Sequence, residues 1–210
     1  GIEQNIYQVG NTVIDALLKG LEIIKEKGEA DYENYFSFLD ASKKTILVTG
    51  HRRESFGEPV ENICNAIKEA ALKHDVQIIY PVHLNPNVRK VVSEILDGVD
   101  SVHLIEPLSY PYLIWLMNRV DIVLTDSGGI QEEAPSLGKP VLVMRDVTEP
   151  QEGIEAGTAQ LVGTDKERIT CALNLLIEDQ DAYDQMAKAV NPYGDGTTSQ
   201  QVKNVFLKLN

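Results

Sequence analysis

Short apolar runs alternate with longer amphipathic runs along most of this chain. The short runs are typical of strands buried on both faces of a sheet. They lie at residues 45–49, 76–82, 102–105, 121–125, 141–144 and 159–162. In the longer runs apolar residues recur every three or four positions, which predicts helices. These lie at 13–24, 59–73, 87–96, 110–118, 166–177, 182–189 and 199–209, and a further one follows residue 127.

The alternation of strands and helices predicts an α/β fold with a doubly wound, Rossmann-like parallel sheet. Residues 1–40 stand apart from this pattern. Asn11 and Thr12 form a candidate cap for the first helix, and the polar and aromatic run at 25–40 predicts an irregular segment or a short helix. Ligands of doubly wound sheets bind beyond the carboxyl ends of the strands, so the residues that follow each strand form the candidate site.

The composition excludes several classes of function. The chain has 210 residues, enough for one packed α/β domain, and its hydrophobic content of 43% is too high for a disordered chain. With 32 acidic and 19 basic residues the formal net charge is −13, which disfavours nucleic acid and membranes as partners. No apolar run has membrane-spanning length. We expect a cytoplasmic protein and, since the sequence begins with Gly1 rather than Met, a piece of a longer one.

Two cysteines, Cys64 and Cys171, lie far apart in the sequence and lack the spacing of metal ligands. Both fall within predicted helices. We expect buried, reduced thiols of a cytosolic protein and no metal site.

The run at 125–140 carries the strongest candidate chemistry. It follows a predicted strand with a hydroxyl and two glycines, Ser127, Gly128 and Gly129, where a helix should begin. Free N–H groups at a helix N-terminus attract anions, and glycine lets a phosphate come close to them. The run predicts a nucleotide-diphosphate site, although a tight turn with a capping serine has the same pattern.

Two carboxylates, Glu132 and Glu133, follow in the first turns of that helix. A carboxylate near a phosphate-binding helix start can accept hydrogen bonds from ribose hydroxyls. The alternative is that both acids only complement the helix dipole.

Other predicted strands also end in polar residues. His51, Arg52 and Arg53 follow the first strand, where they supply a base and phosphate-directed donors or form a basic surface loop. His83 follows the second strand, where it reaches the same crevice or has a structural role. The glycines at 191–196 admit a ligand or end a helix.

Together these runs resemble the non-hydrolysing UDP-N-acetylglucosamine 2-epimerases. The resemblance covers nearly the whole chain, in the order of the family, and the long central run is highly specific. The matching runs are GHRRES at 50–55, YPVHLNPNV at 80–88, TDSGGIQEEAPSLGKP at 125–140, GTAQLVGTD at 157–165 and NPYGDG at 191–196. In addition, GNTVID at 10–15 resembles the place where family members lead into their second domain.

The resemblance implies half of a two-domain protein with glycosyltransferase-B architecture, whose active site lies between two Rossmann-like domains. Residues 41–210 then form the second, UDP-holding domain, and residues 1–40 the interdomain segment and helix that precede it. Family members interconvert UDP-N-acetylglucosamine and UDP-N-acetylmannosamine. They remove the C2 proton, expel UDP to give a glycal, and add UDP back with C2 inverted.

The resemblance also implies partners and limits. The expected ligands are UDP and UDP-N-acetylhexosamines, no redox cofactor is needed, and the full-length protein is expected to be a homodimer. Because the catalytic carboxylates of the family come mainly from the first domain, this chain is expected to bind UDP but to be inactive alone.

Specific roles follow from matching positions. His51 matches the active-site histidine of the family. Arg52 and His83 match positions that lie between the substrate and a second, activating UDP-N-acetylglucosamine in bacterial relatives.

The central run supplies the remaining matches. Ser127, Gly128 and Gly129 match the phosphate-binding residues, and Glu133 matches the acid that holds the ribose.

One position departs from the family pattern. The family commonly has Thr-Glu-Arg-Pro-Glu where this chain has Thr-Glu-Pro-Gln-Glu at 148–152. Pro150 therefore replaces an arginine and removes a cation near the expected pocket.

Two alternatives remain open at this point. A glycosyltransferase-type UDP-sugar domain shares the architecture and the nucleotide site, and a nucleotide-sugar sensor without enzymatic activity would share the binding residues.

Overall fold

A six-stranded parallel sheet forms the centre of the protein, as a computed structural model shows. The structure describes residues 5–50 and 57–209. The strands are β1 (Lys44–Thr49), β2 (Val76–Pro81), β3 (Val102–Ile105), β4 (Ile122–Thr125), β5 (Val141–Val143) and β6 (Ala159–Leu161). Their order is β3-β2-β1-β4-β5-β6, and every neighbouring pair is parallel. This order confirms the predicted doubly wound, Rossmann-like α/β fold.

Ten α-helices flank this sheet in the described part of the chain. They are α1 (Thr12–Lys27), α2 (Ala30–Tyr35), α3 (Glu58–Lys73), α4 (Pro86–Leu96), α5 (Tyr110–Met117), α6 (Gly128–Glu133), α7 (Glu152–Glu155), α8 (Lys166–Glu178), α9 (Gln180–Ala187) and α10 (Thr198–Leu209). A short 3-10 helix, Ala134–Leu137, continues α6. Within the described ranges, every helix is too short or too polar to cross a membrane.

Side-chain caps set where several helices begin. Asn11 Oδ1 accepts the N–H of Val13 (3.0 Å) before α1, as the sequence predicts. Asn85, Asp165 and Asp179 play the same part for α4, α8 and α9. These caps directly precede the amphipathic runs, which is why the predicted helix starts lie close to the observed ones.

The helix after the glycine turn is short. α6 ends at Glu133, and the chain continues through Pro135 in 3-10 geometry. Proline has no N–H to donate to the previous turn and its ring clashes with that turn's carbonyl, so an α-helix cannot continue through it. Gly138 then reverses the chain with a φ of 67°.

Both faces of the sheet are covered, which accounts for the consecutive apolar residues in its strands. Along β1, Ile46 and Val48 face one side and Leu47 the other, and all three are fully buried. The first side packs against α3, α4 and α8, whereas the second packs against α1 and α5.

The first two helices share this core. Leu17, Ile24 and Phe36 are buried in the same layer as Leu47. Phe36 stacks on Trp115, with ring centroids 5.3 Å apart and planes 5° from parallel. Residues 12–39 are therefore packed onto the sheet, while their role as an interdomain segment stays a prediction.

The two cysteines differ in exposure. Cys64 is buried in α3, as expected, and burial raises the pKa of its thiol to about 12. Cys171 is exposed on α8, so the prediction of a second buried thiol is wrong. The reason is helical geometry, since α8 buries Ile169, Leu173 and Leu176 and turns position 171 to the opposite side.

Helix α8 offers a matched test of this packing. Leu173 is fully buried and Leu175 is 47% exposed. Leu173→Ala leaves a cavity and should lower the free energy of unfolding by about 2–5 kcal/mol, whereas Leu175→Ala should change it by no more than about 0.5 kcal/mol. Equilibrium urea denaturation measures both values. Equal losses would contradict the assigned faces of α8.

Candidate functional site

The strand order reverses between β1 and β4, and hydrogen bonds join their carboxyl ends. The hydroxyl oxygens of Thr49 and Thr125 are 2.6 Å apart. Thr125 Oγ1 also accepts the N–H of Ser127 (3.0 Å), and the N–H of Asp126 donates to the C=O of Thr49 (3.1 Å). These bonds fix the backbone that leaves β4 at the place where doubly wound folds bind their ligands.

Among the described residues, none packs against the outer side of the glycine turn beyond β4. Ser127 is extended, with φ −82° and ψ 126°, and its side chain does not cap α6. The first N–H groups of α6 therefore have no partner within the helix. A side-chain carbon placed on Gly128 or Gly129 would meet none of the described atoms within 4 Å. The geometry favours an anion site over a capped turn.

A cavity of about 190 Å³, the switch-point cavity, lies beside this turn. Its walls come from the ends of β1 and β2, from the segment between β3 and α5, and from α6. The lining residues are Thr49, Gly50, Pro81, His83, Pro107, Leu108, Leu113, Ser127 and Ile130. The structure thus brings the predicted residues Ser127 and His83 to one cavity with largely apolar walls.

A larger cavity of about 620 Å³ lies at the opposite, amino end of the strands. Its buried Gln77 donates to the C=O of Asp40 (2.8 Å) and to Thr45 Oγ1 (2.7 Å), and accepts the N–H of Asp40 (2.9 Å). These protein groups satisfy Gln77, and this end of a doubly wound sheet is not where its ligands bind. We therefore assign the functional site to the switch-point cavity.

Glu133 is a buried carboxylate one helical turn beyond the glycines. It is 5% exposed, and Tyr110 Oη donates to its Oε1 at 2.6 Å. Burial raises the pKa of Glu133, the negative charge of Glu132 adds to the rise, and the Tyr110 hydrogen bond opposes it. A buried acceptor of this kind can bind a second hydroxyl, as the ribose assignment requires.

Glu132 makes different contacts. Its carboxylate accepts a hydrogen bond from the Asn11 side chain, in the segment before α1. Burial raises its pKa, and the charge of Glu152 adds to the rise. Within residues 5–50 and 57–209, no three His, Cys, Asp or Glu side chains group closely enough to hold a metal ion.

His83 lies at the rim of the switch-point cavity. Its side chain is exposed, and its Nδ1 accepts the N–H of Asn85 at 3.2 Å. A neutral ring with this bond carries its proton on Nε2. His83 can thus present an N–H donor at the rim.

His51 and Arg52 lie outside the described residues, so their predicted roles stay predictions. Gly50 is the last described residue before them. A Cβ at this position would lie 3.2 Å from Tyr80 Oη and 3.5 Å from Met144 Cε. A larger residue directly after β1 would therefore require the Tyr80 side chain to shift.

The loop after β5 is held against α6. Thr148 Oγ1 donates to the buried Oε1 of Gln131 (2.7 Å), and Arg145 forms an ion pair with Glu149. The C=O of Pro150 accepts a hydrogen bond from Tyr193 Oη (2.9 Å). Position 150, where the family commonly has arginine, therefore carries no positive charge in this chain, and its C=O is already hydrogen-bonded to Tyr193.

Several lining residues were missed by sequence reasoning. Leu108, Leu113 and Ile130 form the apolar wall, and Tyr110 holds Glu133. In the sequence Leu108, Tyr110 and Leu113 belong to the predicted helix at 110–118 and its approach, whereas Ile130 belongs to the glycine-led run; apolar residues in either place indicate only a core. Their place in the sequence could have identified one of them, because Tyr110 follows the predicted strand at 102–105 by a few residues and the residues after each strand form the candidate site.

The sequence also matches known proteins. Residues 1–207 match the family model described as UDP-N-acetylglucosamine 2-epimerase. The chain is 53% identical over 203 residues to the UDP-N-acetylglucosamine 2-epimerase of Escherichia coli strain K12, covering 95% of this chain and 54% of that protein.

Two solved structures are similar as well. The UDP-GlcNAc 2-epimerase of Neisseria meningitidis bound to UDP-GlcNAc has a TM-score of 0.90 and 48% identity, over 95% of this chain and 54% of that one. The enzyme of Methanocaldococcus jannaschii in complex with UDP-GlcNAc and UDP has a TM-score of 0.79 and 32% identity, over 99% and 56%. The chain spans about half the length of the relatives it matches.

The contact between Tyr110 and Glu133 can be tested directly. Tyr110→Phe removes a hydrogen bond that lowers the pKa of Glu133, so that pKa should rise further. Carbon NMR of the Glu133 side-chain carboxyl during a pH titration measures the shift. Tyr35→Phe, in the aromatic cluster around Phe36 and Tyr112, is the control and should leave the titration unchanged. An unchanged pKa in Tyr110→Phe would show that the two groups are apart in solution.

Proposed function

Since this chain belongs to the UDP-N-acetylglucosamine 2-epimerase family, we propose that it forms the UDP-binding half of such an epimerase. The observation that carries the proposal is the open glycine turn at the β1–β4 reversal, with a buried carboxylate one turn further along the same helix. Residues 41–210 form the nucleotide-binding domain, and residues 1–40 lead into it from the other half.

The ligand fits the site in three parts. The diphosphate binds the N–H groups around Ser127, Gly128 and Gly129, which lie at a helix start. The ribose donates a hydroxyl to Glu133, whose Oε1 is already held by Tyr110. The base enters the apolar part of the switch-point cavity. The bound UDP-GlcNAc and UDP of the two similar structures support this assignment of ligand.

The chemistry proposed for the whole protein is elimination and re-addition of UDP. The C2 proton of the sugar is removed and UDP leaves, which gives a glycal; UDP then returns and C2 is protonated on the other face, so that UDP-N-acetylglucosamine and UDP-N-acetylmannosamine interconvert. Charge grows on the departing diphosphate, and preorganised N–H groups stabilise it without rearranging. No redox cofactor takes part.

Three further residues take roles at this centre. His51 is the catalytic residue of this half and serves as proton carrier or charge stabiliser. Arg52 and His83 bind between the substrate and a second, activating UDP-N-acetylglucosamine. The exposed rim position of His83 supports that role.

The substitution at position 150 sets this chain apart within the proposal. Pro150 offers no cation, and its carbonyl is occupied by Tyr193. The diphosphate then depends more heavily on the backbone donors of the glycine turn. We infer weaker nucleotide binding than an arginine at this position would give.

The remaining expectations complete the proposal. The whole protein is a cytoplasmic homodimer, and neither nucleic acid nor membrane is a partner. The match to the epimerase family over residues 1–207 favours this function over a glycosyltransferase-type domain or a sensor.

Two substitutions separate the phosphate and ribose assignments. Glu133→Ala should weaken UDP binding by about 1.5–3 kcal/mol, the value of a hydrogen bond to a charged group, and leave inorganic diphosphate unaffected. Gly129→Ala should weaken both ligands, because a methyl group beside the first N–H groups of α6 would crowd a bound phosphate, although it would meet none of the described atoms within 4 Å outside its own turn. Titration calorimetry with each ligand measures these losses.

The control for Glu133→Ala removes an exposed glutamate from a different helix. Glu155→Ala, on the exposed end of α7, should leave both affinities unchanged. Gly129→Ala should keep its stability, since alanine favours a helix over glycine. Equal losses of affinity for both ligands in Glu133→Ala would refute the ribose assignment. The absence of binding heat with millimolar UDP would refute the proposal that the chain binds UDP.

The proposal also predicts that epimerase activity requires both halves of the protein. The 210-residue chain should form no UDP-N-acetylmannosamine and exchange no C2 proton for deuterium. In a protein that joins this sequence to the half found in its relatives, His51→Ala should lower turnover by about 10²- to 10⁴-fold with little loss of stability. Turnover by the isolated chain would overturn the half-site proposal, and normal turnover in His51→Ala would remove His51 from catalysis.

A further inference from the structure

Chain segments that are distant in sequence converge around Glu132 of α6. They are the residues before α1, the turn at 191–196 between α9 and α10, and the loop between β5 and α7. Glu132 itself lies between the buried Gln131 and Glu133. The hydrogen bonds at this convergence connect α6 to both ends of the described chain.

Asn11 joins three elements at once. Its Nδ2 donates to the Glu132 carboxylate. Its backbone N–H donates to the C=O of Tyr193 (2.7 Å), and its Oδ1 caps α1 at Val13 (3.0 Å). The side chain of one residue thus ties α1 to α6, while its backbone holds the 191–196 turn.

The 191–196 turn is tied to α6 a second time. Asn191 Nδ2 donates to Ser136 Oγ and lies 3.4 Å from the C=O of Glu132. Tyr193 Oη accepts the N–H of Gly153 (2.8 Å) and donates to the C=O of Pro150. The loop after β5 is therefore fixed to the same cluster.

Glycine makes this close packing possible. A Cβ at Gly10 would lie 2.7 Å from Thr198 Oγ1 and 3.1 Å from the C=O of Tyr193, and one at Gly153 would lie 2.9 Å from Tyr193 Oη. Gly10 also has a φ of 91°, which other residues rarely adopt. At Gly10 and Gly153 the backbone therefore lies too close to its neighbours to carry a side chain without a shift.

We propose that Glu132 is a positioning residue that couples the segment leading into this domain to the nucleotide site. The proposal rests on the proposed function for the identity of that site. Glu133 follows Glu132 directly, and the glycine turn begins the same short helix. A displacement of Asn11 therefore shifts the ribose-binding carboxylate and the phosphate-binding N–H groups together. By linkage, a nucleotide that fixes α6 also fixes Asn11.

A pair of substitutions that reverses the hydrogen bond provides the test. Asn11→Asp keeps the cap of α1, because aspartate caps as well as asparagine, but it places a carboxylate against Glu132. Adding Glu132→Gln restores a hydrogen bond in the opposite direction, since the new amide donates to the new carboxylate. The control is Asp15→Ala, because Asp15 accepts the N–H groups of Thr198 (3.2 Å) and Ser199 (2.7 Å) on α10 and none on α6.

The readouts are amide hydrogen exchange without ligand and the UDP dissociation constant. In Asn11→Asp we expect exchange in α6 to speed up and UDP to bind more weakly, each by about 2- to 30-fold, the range for residues that couple sites. The double variant should return both values towards those of the unmodified chain. Asp15→Ala should speed exchange in α10 and leave α6 and UDP binding unchanged. If thermal denaturation shows that Asn11→Asp does not fold, Glu132→Gln alone should give a smaller change in the same direction.

Two results would overturn the coupling. One is unchanged exchange in α6 of the folded Asn11→Asp or Glu132→Gln chain. The other is a double variant that behaves like Asn11→Asp, because a merely local disturbance is not rescued by the reversed pair. Failure of the proposed function gives a different result, because the unmodified chain then binds no UDP. The hydrogen-exchange rates of α6 would still show whether Asn11 and Glu132 position this helix.

Discussion

The parallel pairing of β1 with β4 is the constraint from which the site follows. Thr49 lies opposite Thr125 in this register, so the two hydroxyls meet and the backbone leaving β4 is fixed within hydrogen-bonding distance of β1. The helix after β1 covers one face of the sheet and the helix after β4 lies on the other face. A crevice is therefore left between the two carboxyl ends, as in other doubly wound folds. The glycine turn and the switch-point cavity occupy that crevice.

One short helix carries two carboxylates with different environments. Glu133 contacts Tyr110 near the switch-point cavity, whereas Glu132 contacts Asn11 in the segment before α1. Adjacent residues on a helix project about 100° apart, so both tasks fit on six residues. Pro135 then prevents α6 from lengthening. In the 3-10 helix that follows, Ser136 Oγ accepts a hydrogen bond from Asn191 Nδ2, which also donates to the C=O of Glu132 on α6.

The sequence predicted the fold and the glycine turn because both depend on local patterns. The consecutive apolar residues around Leu47 predict a strand in a sheet that is covered on both faces. Asn11 and Asn85 are N-cap residues of the helices that follow them. The contacts of Tyr110 were not predictable in this way. Its partner Glu133 lies 23 residues further along the chain on another helix, and only the tertiary fold brings the two side chains together. The exposure of Cys171 was missed for a different, local reason, since the helix was predicted without deciding which of its faces is buried.

The proposed diphosphate site lies in a chain with a net charge of −13, so the charges close to the site decide whether an anion can bind there. Charges further away than about 8 Å are largely screened at physiological salt, so the overall balance matters less than the groups beside the glycine turn. Of the two acids that follow the turn on α6, Glu133 is buried and Glu132 is half-buried, and burial raises the pKa values of both. A bound diphosphate would raise them again by its own charge, whereas a ribose hydroxyl donating to Glu133 would lower the pKa of that residue. Under the proposed function, the ribose hydrogen bond would therefore act in the same sense as the Tyr110 hydrogen bond, because both favour the ionised form of Glu133.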